Sequence, residues 1–179
     1  MPFPTHLNPN FSTPAADAPA GTWQSGESFH QQQQAVYQGD RATATYFKQG
    51  GGMAHVCYSP AHANASVTGA GAGQGNNYCI WVAGEQGAQA EGISQSALDG
   101  ILDSYLEPNA SIGWHTHSYS EEIYYLLAGQ LTVEMVDTSG QLHRWNLQPG
   151  DSHRVGPGMS HTAQAGGDGA RFMAVMIRC

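Results

Sequence analysis

The chain is short of charge. Asp, Glu, Lys and Arg make up 11% of its 179 residues, against about 25% in an average globular protein. Lys and Arg contribute only six, and the formal net charge is −8. A basic patch of the size that a nucleic-acid backbone or an anionic membrane surface requires cannot form, which excludes both as partners. Cysteine is scarce as well. Cys57, Cys79 and Cys179 are odd in number, far apart and without a C-x-x-C pair, so no disulfide framework is expected. Cys57 and Cys79 lie in apolar, strand-like runs, the setting of buried and inert thiols. No run of eighteen apolar residues occurs, and no charged segment followed by an apolar one opens the chain. Neither a membrane span nor a secretory signal is therefore expected. These absences point to the cytoplasm, where the Asn-x-Ser triplets at Asn10, Asn64 and Asn109 carry no sugar.

What the chain has in quantity is glycine, 23 residues of it, with glutamine, serine and alanine, a composition of turns and sheets. Its length suits one domain with a single core. Residues 1–35 carry Pro2, Pro4, Pro9, Pro14 and Pro19, then a polar tract ending in Gln31 to Gln34. Such proline spacing resists helix and sheet alike, and implies an extended N-terminal arm, mobile or laid over a partner surface. Residues 36–179 form the domain proper. A-T-A-T-Y-F and M-A-H-V-C-Y, either side of Gly50 to Gly52, read as two strands; His55, inside the second, reads as a packed or surface residue. The glycines of residues 60–76 do not make a dinucleotide-binding loop, because Gln74 stands where the third glycine would follow Gly69 and Gly71. That stretch reads as a flexible loop.

Tyr78 to Ala83 is a compact apolar strand. Between residues 93 and 106 the apolar positions fall at helical spacing, but the turn signal at Pro108-Asn109 favours a strand from about Ile101 to Leu106. Beyond Gly129 the period is two: Leu131, Val133 and Met135 alternate with Thr132 and Glu134. Asp137 to Gly140 then turns the chain into Leu142 to Leu147, a hairpin. Further turns at Gln148 to Asp151 and Val155 to Gly158, and a closing strand from Arg171 to Met176, complete an all-β sandwich or barrel.

The chemistry is concentrated in Trp114 to Gly129, W-H-T-H-S-Y-S-E-E-I-Y-Y-L-L-A-G. On a strand, residues two apart point to the same side, so His115 and His117 can aim both imidazoles at one point. A carboxylate, Glu121 or Glu122, follows a bend at Ser118 to Ser120 and can return to that point. The bland alternative is a pair of surface histidines beside a turn. A third imidazole, His161, ends the string G-D-S-H-R-V-G-P-G-M-S-H.

These residues resemble the two motifs of the cupin superfamily over about residues 100–177. The first motif is a glycine, five residues, H-x-H, three or four residues, a glutamate, six residues and a glycine. His115, His117, Glu122 and Gly129 match it, and the six-residue interval selects Glu122 over Glu121. Gly150, Gly158 and His161 match the second, G-x5-P-x-G-x2-H-x3-N. Asn109 stands at the leading glycine, Gly156 at the proline position with Pro157 one residue on, and Ala165 at the final asparagine. The resemblance implies a double-stranded β-helix, or jelly roll, with a metal inside the barrel and subunits paired as a homodimer.

Three neutral imidazoles and a carboxylate suit one divalent transition metal, Fe, Mn, Ni, Co, Cu or Zn, without choosing among them. Four protein ligands on a six-coordinate ion leave about two positions for water, substrate or dioxygen, as in a reactive site. Tyr124, two residues beyond Glu122, faces the same side and is a candidate proton donor or base; E-I-Y-Y-L-L reads equally as a core strand. Glu121 points the other way, as a solvated or interface carboxylate. For His153 a core role or one supporting a ligand is preferred to direct ligation, and Trp114 and Trp81 read as pocket wall or core. The resemblance implies a metal-dependent enzyme acting on a small organic molecule, by dioxygenase-type chemistry or by Lewis-acid lyase or isomerase chemistry. Cupin dimethylsulfoniopropionate lyases look similar around Tyr124. The alternative is a non-catalytic cupin that binds a sugar or a signalling molecule.

Overall fold

The computed structural model describes residues 23–25, 53–58, 73–83 and 97–179. Every regular element among them is a strand: β1 (Trp23–Ser25), β2 (Ala54–Tyr58), β3 (Asn77–Ala83), β4 (Leu98–Leu106), β5 (Ser111–Thr116), β6 (Ser120–Val136), β7 (Leu142–Leu147), β8 (Ser152–Val155) and β9 (Ser160–Arg178). No helix of these residues is long and apolar enough to cross a membrane. The strands build the jelly-roll barrel.

Three connections are the same turn. Pro108-Asn109, Pro149-Gly150 and Pro157-Gly158 each place proline second and a left-handed residue third, with φ of 62°, 97° and 79° at Asn109, Gly150 and Gly158. In each, the fourth N–H donates to the first carbonyl: Ala110 to Glu107 at 2.9 Å, Asp151 to Gln148 at 2.9 Å and Met159 to Gly156 at 3.1 Å. This is the type II pattern, for which proline presets the second φ and glycine or asparagine tolerates the third. Asn109 therefore replaces the expected glycine without loss, and Pro157 closes its turn although it stands one place late.

The spine of the barrel is the antiparallel pair β6 and β9, which runs from Ser120↔Arg178 to Val136↔Ser160. On its other side, β6 pairs β8 along its first half and β7 along its second. Likewise β9 pairs β5 through its first half and β4 through its second. Each long strand thus serves both faces of the barrel, and breaks in register at Leu126/Ala128 and Gly129/Leu131 mark where the pair turns the corner. The strand expected at Arg171 to Met176 is the end of this 19-residue β9.

β4 starts at Leu98, earlier than Ile101, because burial alternates along it: Gly100, Leu102, Ser104 and Leu106 are buried, with half-buried residues between the first three. The interior of the barrel is filled by Val56, Cys79, Leu102, Leu106, Ile112, Leu126, Leu131, Val133 and Phe172; burying a side chain of this kind stabilises by roughly 2 kcal/mol. Cys79 lies in this core, Cys57 is half-buried, and all three cysteines are free.

The arm expected over residues 1–35 lies outside the described residues except for β1. There Trp23, Gln24 and Ser25 pair in parallel with His55, Val56 and Cys57, adding an edge strand to the sheet. The reason is local: the proline spacing that opposes sheet ends at Pro19. The strand expected at A-T-A-T-Y-F lies outside the described residues. At the end of the expected loop of residues 60–76, Gln74 is clamped to Ser111 by two backbone hydrogen bonds of 2.8 and 2.9 Å.

Candidate metal centre

His115 reaches the barrel interior because β5 is bulged. Ile112 pairs with Ala163 and His115 with His161, with a shift in register between them, so two residues of β5, Gly113 and Trp114, oppose Thr162 alone. Ile112 lies in the core and His115 meets His161 inside the barrel, whereas on a regular strand residues three apart point to opposite faces. The extra residue re-aims every side chain after it. Thr162 Oγ1 donates to the Ile112 carbonyl at 2.5 Å, across the bulge. His117, just past the end of β5, is pinned from the second motif: its N–H donates to the Met159 carbonyl at 3.1 Å, and Gly158 N–H donates to its carbonyl at 2.7 Å.

His115, His117 and His161 then meet Glu122, which comes from the first half of β6. One donor atom from each lies within 4.8 Å of all the others, and all four residues are buried. The Nε2 atoms of His115 and His117 are 2.8 and 3.2 Å from that of His161. Glu122 Oε2 is 3.2 Å from His161 Nε2, 3.4 Å from His117 Nε2 and 3.9 Å from His115 Nε2. The opposite ring nitrogens are engaged elsewhere. His115 Nδ1 is 2.9 Å from the Gly113 carbonyl, His117 Nδ1 is 3.3 Å from Ser120 Oγ, and His161 Nδ1 is 3.2 Å from His153 Nε2. A carbonyl only accepts, so His115 carries hydrogen on Nδ1 and, when neutral, presents a lone pair from Nε2.

Lone pairs and a carboxylate gathered on one point repel unless a cation holds them. Glu122 Oε2 is buried without a hydrogen bond, although three imidazole nitrogens surround it. Separations of 2.8 to 3.9 Å are short enough for these atoms to share one ion at metal–ligand distances of about 2.1 Å. The donor set therefore fits a divalent transition metal, with His115, His117, Glu122 and His161 as its ligands.

Without metal, the cluster keeps its charge balance by protonation. Burial opposes ionisation of Glu122, but the three imidazoles outweigh it and hold the carboxyl well below its ordinary range. Burial also disfavours protonation of His115, yet the Glu122 carboxylate and the Gly113 carbonyl leave it raised. Burial, against the pull of Glu122, depresses His161 to about 3.

Tyr124 lies on the interior face as expected. It is 2% exposed, and its ring centroid stands 5.2 Å from His161 and 4.7 Å from Phe172. Burial and the Glu122 carboxylate hold its hydroxyl protonated, with a pKa well above 10. Tyr124 is thus a core residue and a neighbour of His161 at once. Glu121 faces outward and is paired with Arg154, whose Nε donates to it at 3.0 Å. Trp81 belongs to the core, Trp114 is half-buried at the bulge, and His55 bonds the Met53 carbonyl at 2.8 Å, outside the cluster. Beside the centre, a recess of about 390 Å³ runs between β7 and β8, with Trp145, Ser152, His153 and Arg154 in its lining. The residues missed from sequence are Gly113, Ser120 and Thr162, which aim the ligands. Ser120 alone left a trace, as a hydroxyl in the bend between His117 and Glu122.

A family model described as cupin domain matches residues 103–178, which include all four proposed ligands. Over these residues the chain is similar to a cupin domain. Among solved structures, one described as a predicted oxalate decarboxylase from Thermotoga maritima is similar at 23% identity and a TM-score of 0.49, covering 60% of this chain and 84% of that one. Oxalate decarboxylase from Bacillus subtilis is similar at 26% identity and a TM-score of 0.49. That match covers 57% of this chain and a quarter of the Bacillus subtilis chain. No curated protein sequence matches.

Proposed function

We propose that this protein is a metal-dependent cupin enzyme acting on a small organic molecule. The observation that carries the proposal is the convergence of three Nε2 atoms and Glu122 Oε2, with each Nδ1 tied to a separate partner. A bound divalent metal supplies Lewis acidity and, for a redox-active ion, a place for dioxygen beside a chelating substrate. The protein's own part is to bind and orient the substrate and to place one proton. Tyr124, on the interior face beside His161, serves as proton donor or base to a bound substrate. Arrangement in pairs as a homodimer and residence in the cytoplasm, both expected from the sequence, belong to the same proposal.

The decisive experiment begins with the metal content of purified protein, followed by turnover of carboxylate, phenolic and sulfonio substrates with and without oxygen. His115→Ala and Glu122→Ala are expected to lose the metal; full occupancy in both would sink the site assignment. Oxygen consumption marks dioxygenase chemistry, and turnover without oxygen marks a lyase or isomerase, including the dimethylsulfoniopropionate type. Tyr124→Phe is expected to retain metal and lose about 100-fold in turnover, and unchanged turnover would remove it from the chemistry. Tight binding of a small ligand with no turnover of any substrate would identify a binding module. Sedimentation of the purified protein tests the dimer.

A further inference from the structure

We propose that His153 is the positioning residue for His161: it accepts the hydrogen on His161 Nδ1 and thereby holds Nε2, lone pair foremost, on the point where the other donors meet. The inference rests on the metal reading above and extends it to a residue outside the ligand set. A neutral imidazole has one N–H and one lone pair, so His161 can ligate through Nε2 only with its hydrogen on Nδ1. His161 is 0% exposed, and a buried N–H without an acceptor is costly. Among the described residues, the atom placed to receive it is His153 Nε2, at 3.2 Å. His153 must then carry its own hydrogen on Nδ1.

The three histidines are not held alike. His115 and His117 are fixed by oxygens close in sequence, the Gly113 carbonyl and Ser120 Oγ. His161 instead depends on a strand it is not paired with: β8 bonds to β6, where His153 is opposite Tyr124, and β9 reaches His161 from β5 and the far half of β6. The His153–His161 hydrogen bond is thus a strut across the barrel. Its orientation is set by packing, with the Tyr124 and Trp145 rings 6.3 and 5.7 Å from the His153 ring. The bond couples the outer recess, which His153 lines, to a ligand of the metal.

The test uses the full chain stripped of metal and titrated with Zn2+ against a competing chelator. His153→Phe, which keeps a ring and removes the acceptor, is expected to weaken zinc binding about 10- to 100-fold. His153→Gln, whose amide oxygen can accept at similar reach, is expected to stay within about threefold of the parent. In parallel, 15N NMR of the metal-free protein reads the His161 tautomer: Nδ1–H in the parent and in His153→Gln, and loss of that single form in His153→Phe. If His153→Phe does not fold, His153→Ala takes its place. Unchanged zinc affinity in the acceptor-less variant would overturn the proposal, and so would equal losses in both variants, which would assign the effect to packing. Should the parent bind no zinc, the metal reading fails separately. The tautomer still decides the strut, supporting it if the Nδ1–H form depends on His153 and overturning it if it does not.

Discussion

Replacing Gly129 with alanine tests whether the barrel closes as described. Gly129 has a φ of 78°, where a left-handed side chain costs roughly 1–2 kcal/mol. A Cβ built there would stand 2.1 Å from the Gly169 carbonyl oxygen, 3.0 Å from its carbon and 3.1 Å from Ala170 Cα. All three are backbone atoms of β9, so no rotamer change relieves the clash, and the strand pair must part at its corner. Overpacking of this kind costs about 1–3 kcal/mol more, for a total of roughly 2–5 kcal/mol. Gly150 is the control, because its φ is 97° but nothing lies within 4 Å of the added Cβ. Gly150→Ala should therefore show the backbone cost alone, about 1–2 kcal/mol. Urea unfolding of both variants, compared at constant slope, separates the two terms; for a chain of this size each kcal/mol also lowers Tm by about 2–4 °C. If Gly129→Ala were no less stable than Gly150→Ala, β6 and β9 would not meet at Gly129 and Gly169, and the corner would be wrong.

Thr162→Val keeps the shape of Thr162 and removes its hydrogen bond to the Ile112 carbonyl. It is expected to cost about 1 kcal/mol in unfolding free energy and to weaken metal binding roughly tenfold by loosening the bulge. Thr162→Ser should restore both, and a Val variant with parental metal affinity would free the bulge from Thr162. In metal-free protein, stability should fall as the solution is acidified. Burial puts His153 at about 4 and His161 at about 3, below the unfolded value near 6.5. The unfolded chain then takes up protons that the folded chain refuses, so stability is full above about pH 6.5 and is lost progressively towards pH 4. His115, whose pKa is raised, acts in the opposite sense, with its contribution lost as pH rises through that raised value. Denaturant midpoints measured from about pH 8 down to pH 4.5 check the sign, and a midpoint rising over the lower part of that range would contradict the buried neutral state of His153 and His161.

The architecture was legible where local chemistry decides it. Alternation at Leu131, Val133 and Met135 and the Asp137 to Gly140 turn foretell the β6–β7 hairpin, which pairs Leu131↔Leu147 through Val136↔Leu142. Proline before asparagine or glycine marks the type II turns at Pro108, Pro149 and Pro157. The length of β9 was not legible, because Gly166-Gly167-Asp168-Gly169 has the composition of a turn. In the barrel it is strand, with Gly169 at φ 83° and its Cβ direction closed off by the Leu106 carbonyl oxygen at 2.9 Å. Glycines chosen for close backbone approach look, in one dimension, like glycines chosen for flexibility.

The ligands show the same division. The interval of two between His115 and His117 is a statement about a strand, and both imidazoles do point to one place. Whether that place is the inside of the barrel depends on parity counted from the core. By that count Ile112 inward puts Trp114 inward and His115 outward. A regular β5 would therefore display the chelate to solvent and bury a tryptophan beside His161. The bulge between Ile112 and His115 reverses the parity, and its maintenance falls to residues with no metal-binding chemistry: Gly113, whose carbonyl receives the His115 Nδ1–H at 2.9 Å, and Thr162 across the strand. A metal centre on a β-strand thus needs two independent conditions, spacing within the motif and parity relative to the core. Only the first is written in the motif; the second is set by pairing with β9, some fifty residues further along the chain.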